Sequence, residues 1–235
     1  MKLKWFGTAT ILLEQDGTQL LFDPYFPLND KIFKPPMNEL ASIDNIFVTH
    51  GHFDHIVDIP SVMKHGNGKS MVYCTAKPLD TLLSRGVDKE RIHRIELGDV
   101  LKIGPFEVSV LKGKHVVFNM KLIMKTLFRP DIFVYRKNLK RLLKENKECS
   151  EAGETVVYDI IVGGRRILLM GSLNLDDNTN YPKGADLIIM PFQGRSDLSE
   201  YVMPIIERLQ PKKVMLDHLI ILFRQCLHLW IPNLL

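Results

Sequence analysis

The 235-residue chain predicts a mixed α/β domain with a strand-rich frame. Three observations predict it. Short apolar runs recur through both halves, bounded by Gly, Pro and Asp turn signals. Between several of them lie stretches with helix-end residues. The composition is 46% hydrophobic and 25% charged, with 15 Gly and 13 Pro, which excludes disordered, collagenous and low-complexity architectures. The length fits one large domain or at most two small ones, and no fixed-period repeat appears.

The first quarter reads as strands over Lys2 to Phe6, Ala9 to Glu14 and Gln19 to Asp23. Asp16-Gly17 supplies a hairpin turn between the second and third. Asp23-Pro24 ends the third, because proline cannot donate to a ladder and pushes its predecessor out of helix. Residues 24–42 read as a proline-containing loop, Asn45 to Val48 as a short buried strand, and Thr49 to His55 as the loop at its end. Ile59 to Lys64 predicts a helix with Asp58 as cap and Pro60 in its first turn. A strand follows at Met71 to Cys74, then a helix at Pro78 to Arg85 stopped by Gly86. Strands are expected at Ile92 to Glu96, Val100 to Ile103 and Phe106 to Leu111, separated by Gly98-Asp99 and Gly104-Pro105. Val156 to Val162 and Arg166 to Met170 form a hairpin around Gly163-Gly164. Leu187 to Met190 is a strand, Leu198 to Leu209 a helix that Pro204 should kink, and Lys213 to Leu216 the last strand.

No run of 18 uncharged apolar residues predicts a membrane helix, and Met1 to Trp5 reads as strand rather than leader. Cys74, Cys149 and Cys226 are odd in number and far apart, which fits buried thiols in a reducing, cytoplasmic setting. The formal net charge of +4 does not by itself indicate nucleic acid. Residues 112–147, however, hold eleven Lys/Arg against Asp131 and Glu145. This predicts a basic insertion at about 116–153 within a single domain, with one helix over Arg136 to Lys147.

The chemistry concentrates in Thr49-His50-Gly51-His52-Phe53-Asp54-His55. Histidine is only 8 of 235 residues, yet three fall within six consecutive positions. His50 and His52 are two apart, so an extended loop points both the same way, with Asp54 continuing the alternation and His55 pointing elsewhere. Imidazole and carboxylate donors suit zinc, manganese or iron, and Gly51 lets the backbone bend tightly. His115 and His218 each follow an apolar strand, as ligands on a rigid scaffold should. His65, His93 and His228 have no such context.

The HxHxDH run at a strand end resembles the metallo-β-lactamase superfamily. Lys4-Trp5-Phe6-Gly7-Thr8-Ala9-Thr10, Gly17 to Asp23-Pro24, Gly113-Lys114-His115, Met190-Pro191-Phe192-Gln193-Gly194 and Leu216-Asp217-His218 are similar to its L-ascorbate-6-phosphate lactonase-like branch of metal-dependent hydrolases. The resemblance spans roughly residues 1–218. It implies a four-layer αββα sandwich with the metal site at one edge of two sheets. It implies His50, His52 and His115 on one ion, and Asp54, His55 and His218 on a second. The family usually places a bridging aspartate after the strand found here at Arg166 to Met170, where this chain has Gly171-Ser172-Leu173-Asn174. A neutral hydroxyl cannot hold two cations together, so Asn174, Asp176 or Asp177 become candidate substitutes and the number of ions, one or two, stays open.

The expected function is therefore a metal-dependent hydrolase using a metal-activated hydroxide on a small anionic substrate, a phosphorylated lactone or a phosphodiester. Asp54 would also assist proton transfer. No GxSxG elbow, GxxxxGK[ST] or GxGxxG competes with this reading. Two alternatives are carried: a nucleic-acid-processing metallohydrolase, suggested by the basic segment but lacking basic-aromatic interleaving, and a non-catalytic metal-binding homologue, suggested by Ser172. A homo-oligomer is compatible with the sequence. The stretch Leu219 to Leu235 changes character, with Arg224 its single charge. Either it packs as an apolar helix or strand on the core or on a second subunit, or it is the product of a shifted reading frame; its lack of clean 3.6 or 2.0 periodicity favours the latter.

Overall fold

A computed structural model describes residues 1–28, 33–117, 136–149, 153–193, 195 and 197–218. The apolar tail at 219–235, and the parts of the basic insertion at 118–135 and 150–152, lie outside the described residues.

Two six-stranded sheets form the frame. The first runs in chain order, β1 (Lys2–Trp5), β2 (Ile11–Gln15), β3 (Thr18–Phe22), β4 (Asn45–Phe47), β5 (Met71–Cys74) and β6 (Ile92–Arg94). β1 to β3 pair antiparallel through tight turns, while β3 to β6 pair parallel. Parallel pairing needs crossovers, and the chain supplies helices there: α1 (Met37–Ala41), α2 (Phe53–Ile56), α3 (Ile59–His65) and α4 (Ala76–Ser84). The second sheet has the order β12-β11-β10-β9-β8-β7. β7 (Val100–Ile103), β8 (Phe106–Lys112), β9 (Val156–Val162) and β10 (Arg165–Met170) are antiparallel neighbours. β11 (Leu187–Pro191) and β12 (Val214–Asp217) add parallel strands. A helix over Arg136–Glu148, α5, lies in the insertion, and α6 (Leu198–Leu209) joins β11 to β12. At the β2–β3 hairpin Asp16 and Gly17 both take positive φ, 51° and 78°, the backbone a two-residue turn of that hand requires.

The sheets pack face to face because their central strands are apolar on both sides. Along β2, Ile11 and Leu13 face the second sheet while Leu12 faces the helices. Along β9, Val156, Tyr158, Ile160 and Val162 face the first sheet, and Val157 faces α6. Tyr158, fully buried against Phe22 and Phe47, donates its hydroxyl to the Val48 carbonyl at 2.5 Å, which removes the cost of burying it. Outer layers close the structure: α1, α3 and α4 cover the first sheet and α6 the second, giving the expected αββα order.

Several expectations need correction. The loop read over 24–42 contains α1, and the loop read over 49–55 gives way to α2 at Phe53. Both helices are too short for a helical period to show in sequence. Asp58 does not cap α3 with its side chain; its Oδ2 instead accepts the Phe26 N–H at 2.7 Å. The last strand extends to Asp217. α6 remains one element through Pro204. α5 is fixed by Arg85, which donates to Glu145 at 2.6 Å and Glu148 at 3.1 Å, and by buried Cys149 just beyond it.

Candidate metal centre

The end of β4 delivers the histidine-rich segment to one edge of the two sheets. His50 is buried; His52 is extended, with φ −69° and ψ 155°, immediately before α2. The first turn of α2 then redirects the chain, so Asp54 and His55 point to a second position. His115 arrives from the loop after β8, and His218 from the end of β12. His218 has φ +56°, and its N–H donates to the Thr8 carbonyl at 2.8 Å, an acceptor shared with the Trp5 indole at 2.9 Å. The β1–β2 turn thus holds the last histidine in place.

Six side chains converge as two groups, His50, His52 and His115, and Asp54, His55 and His218. Within each group the donor atoms lie within 4.8 Å of one another. The groups adjoin, with the His50 and His55 rings 3.9 Å apart. His50 Nε2 lies 3.2 Å from His52 Nδ1, and His55 Nε2 lies 3.1 Å from His218 Nε2.

Behind these atoms stands a layer of buried oxygens. Asp23 accepts the Thr49 N–H at 2.8 Å and the Thr49 hydroxyl at 2.6 Å, and its Oδ2 lies 2.8 Å from His55 Nδ1. Asp217 Oδ1 lies 3.3 Å from His218 Nδ1. The Val116 carbonyl accepts from His115 Nδ1 at 2.8 Å, and Thr49 Oγ1 sits 3.1 Å from His50 Nδ1. With Nδ1 occupied in this way, the network assigns Nε2 of His50, His55, His115 and His218 as the inward atom.

Electrostatics favour neutral imidazoles at His50 and His55. Burial, reinforced by the neighbouring histidines, holds the His50 pKa well below its ordinary value. Burial also lowers His55 to about 3, against the pull of Asp54. For His218 burial opposes charging, but Asp217, Asp54 and Asp23 outweigh it and raise its pKa. Burial pushes Asp23 up to about 7 despite its bonds from Thr49, and raises Asp217.

The donor set fits a divalent cation. Two pairs of imidazole nitrogens converge to hydrogen-bond distance, where lone pairs repel unless a proton or cation lies between them. Their outer nitrogens are already oriented, and the mixture of imidazole with carboxylate is the one zinc, manganese and iron accept.

Residues 18–123 match the model of the beta-lactamase superfamily domain. A UPF0173 metal-dependent hydrolase of Azorhizobium caulinodans is 29% identical over 118 residues, 49% of this chain and 49% of its own length. The chain spans about half the length of the curated relatives it matches. Among solved structures it is similar to an isothiocyanate hydrolase from Delia radicum gut bacteria, with TM-score 0.58, 16% identity and coverage of 93% and 84%. It is also similar to the metallo-beta-lactamase fold protein YhfI of Bacillus subtilis, with TM-score 0.54, 16% identity and coverage of 90% and 79%. The chain has the metallo-β-lactamase fold.

Within this metallo-β-lactamase frame, Ser172 is buried and its hydroxyl accepts the Val116 N–H at 3.0 Å, beside His115. Asn174 and Asp176 stand outside both donor groups. The Asn174 carboxamide accepts the Leu175 N–H at 2.9 Å and donates to the His115 carbonyl at 3.4 Å. Asp176 pairs with Lys112 at 2.9 Å and accepts from Thr179, and Asp177 pairs with Lys114 at 2.9 Å. These side chains are committed to holding the loops around His115. Sequence reasoning overlooked Asp23, Thr49 and Asp217 as supports. The available signal was adjacency: Thr49 precedes His50, and Asp217 precedes His218.

Proposed function

We propose that the protein is a metal-dependent hydrolase acting on a small anionic substrate, a phosphorylated lactone or a phosphodiester. In this reading His50, His52 and His115 hold one divalent ion, zinc or manganese, and Asp54, His55 and His218 hold another. The convergence of six buried or half-buried donors at one edge of the sandwich carries the proposal. Similarity to proteins named metal-dependent hydrolase and isothiocyanate hydrolase supports the reaction class. A bound divalent ion supplies a water with pKa near about 7 and polarises a carbonyl or phosphoryl oxygen.

The chain's own groups do the remaining work. Asp23 and Asp217 hold His55 and His218 in one orientation. Asp54 keeps a carboxylate at the reacting position, able to take a proton from an attacking water. On α5, exposed Lys140, Arg141, Lys144 and Lys147 raise the local positive potential for an approaching anion. Among the described residues no helix is long and apolar enough to cross a membrane, and a cytoplasmic setting is part of the proposal.

The test is metal analysis of the purified chain, followed by a screen over lactones and phosphodiesters with added manganese or zinc. Labelled RNA serves as the competing substrate. Turnover of a small ester that His52→Ala abolishes is expected. Bound metal without turnover of any ester would leave the non-catalytic reading, and preferential RNA cleavage the nucleic-acid one.

A further inference from the structure

We propose that Arg195 is a positioning residue for His115, acting through the Val116–Val117 peptide that carries the acceptor of the His115 ring. This rests on the reading of His115 as a ligand of the centre.

The acceptor of His115 Nδ1 is the Val116 carbonyl, at 2.8 Å. The direction of that carbonyl depends on how the chain is held on either side of its rigid peptide. On the N-terminal side the Val116 N–H donates to Ser172 Oγ at 3.0 Å. The Val116 side chain is also buried in the apolar cluster between the second sheet and α6. On the C-terminal side the Val117 side chain is 67% exposed, so packing contributes little there. The Val117 carbonyl instead accepts from Arg195 Nη1 at 3.0 Å. Arg195 thus supplies an anchor on the side where burial supplies little.

Arg195 is itself held in one geometry. Its Nε and Nη2 donate to Asp197 Oδ1 and Oδ2 at 2.7 and 2.6 Å, a bidentate pair. Its guanidinium carbon lies 4.3 Å from the centroid of the Tyr201 ring, in the first turn of α6. All three guanidinium nitrogens therefore have acceptors, so the fork holds chain segments together rather than offering itself to a substrate. A planar fork can meet a carboxylate with one edge and a carbonyl with the other, which the point charge of a lysine cannot reproduce. In this way the loop leaving His115 is tied to the start of α6, a rigid element of the second sheet's outer layer.

The experiment uses the full-length protein with two readouts. Long-range proton–nitrogen NMR of the metal-free protein at mildly alkaline pH gives the tautomer of the His115 ring with no ion present. Titration with Co2+, followed by its d–d absorption, gives metal affinity. In the wild type the His115 proton should sit on Nδ1. Arg195→Ala should mix in the tautomer with the proton on Nε2 and weaken Co2+ binding about ten-fold, the lower end of the effect of disturbing a ligand's support. Lys212→Met removes the 2.7 Å ion pair with Asp186, and should leave both readouts unchanged, which separates positioning from a general loss of stability. Circular dichroism and thermal melting check that each variant folds. If Arg195→Ala does not fold, Asp197→Asn, which loosens the fork, decides. Unchanged tautomer and unchanged Co2+ affinity in the Arg195 variant overturn the proposal, and so does the same change in Lys212→Met. A wild type that binds neither Co2+ nor Zn2+ sinks the metal reading of the centre, and the tautomer comparison then decides the positioning of His115 by itself.

Discussion

Gly171→Ala probes how the fold positions the centre, because the perturbation is a single methyl group whose surroundings are defined. Gly171 follows β10 and lies against Thr49. A Cβ at this position would meet Thr49 Cβ at 2.4 Å, Thr49 Oγ1 at 2.7 Å and the Val156 carbonyl oxygen at 3.1 Å. Carbon atoms in contact prefer about 3.5–4.0 Å, so roughly 1 Å of movement is required. Thr49 is poorly placed to move. Its N–H and hydroxyl are both bonded to Asp23, and its carbonyl accepts the Val156 N–H at 3.0 Å. Overpacking of this kind costs about 1–3 kcal/mol. For a chain of this size that corresponds to a fall in Tm of about 2–12 °C. The displaced Thr49 would also shift His50 and His55, so metal affinity should fall about 10–100-fold. Urea unfolding and thermal melting of the metal-free protein give the first number, and Mn2+ or Zn2+ titration the second. A variant with unchanged Tm and unchanged affinity would show that Thr49 does not couple the second sheet to the ligands, and the reasoning would fail.

Three further outcomes are expected. Ser172→Asp should tighten binding of the second equivalent of metal by at least about ten-fold, since it adds a negative charge beside the three-histidine half; unchanged stoichiometry and affinity in calorimetry would count against that role for position 172. Burial raises the Asp58 pKa, so the folded state holds this proton to higher pH than the unfolded chain. Stability should therefore decline as pH rises from the unfolded value of about 3.9 through the folded one. Asp58→Asn, which can still accept the Phe26 N–H, should flatten that decline in urea titrations between acid and neutral pH, and an identical slope would refute the assignment. Replacing Lys140 and Arg141 by Gln should raise KM for an anionic ester at low salt and reduce its salt dependence, with kcat little changed; an unchanged KM would leave α5 a purely structural role.

Much of this architecture is legible from local chemistry. Glycine- and aspartate-containing turns mark the hairpins at Asp16-Gly17 and Gly163-Gly164, because few residues adopt positive φ cheaply. Strands such as β9 and β11 show as apolar runs because both of their faces are covered. The HxHxDH run declares itself because six consecutive residues supply four donors. The short helices α1 and α2 do not show, since four or five residues hold too little periodicity to separate helix from loop.

What the chain alone determines, then, is which segments are strands, where they turn, and that a loop dense in histidine and aspartate lies at the end of β4. The division of six side chains into two groups is already implied by the resemblance, but only the tertiary structure brings His115 and His218 beside the loop, because their approach depends on which strand ends meet at the sandwich edge. The tertiary structure also gives Asp23 and Asp217 their place behind His55 and His218, and commits Asp176 to Lys112 and Thr179 rather than to the centre. A carboxylate reads the same in sequence whether it meets a lysine, a histidine or water. Its role follows from its neighbours in space, and those are set by the register and packing of two sheets rather than by any local pattern.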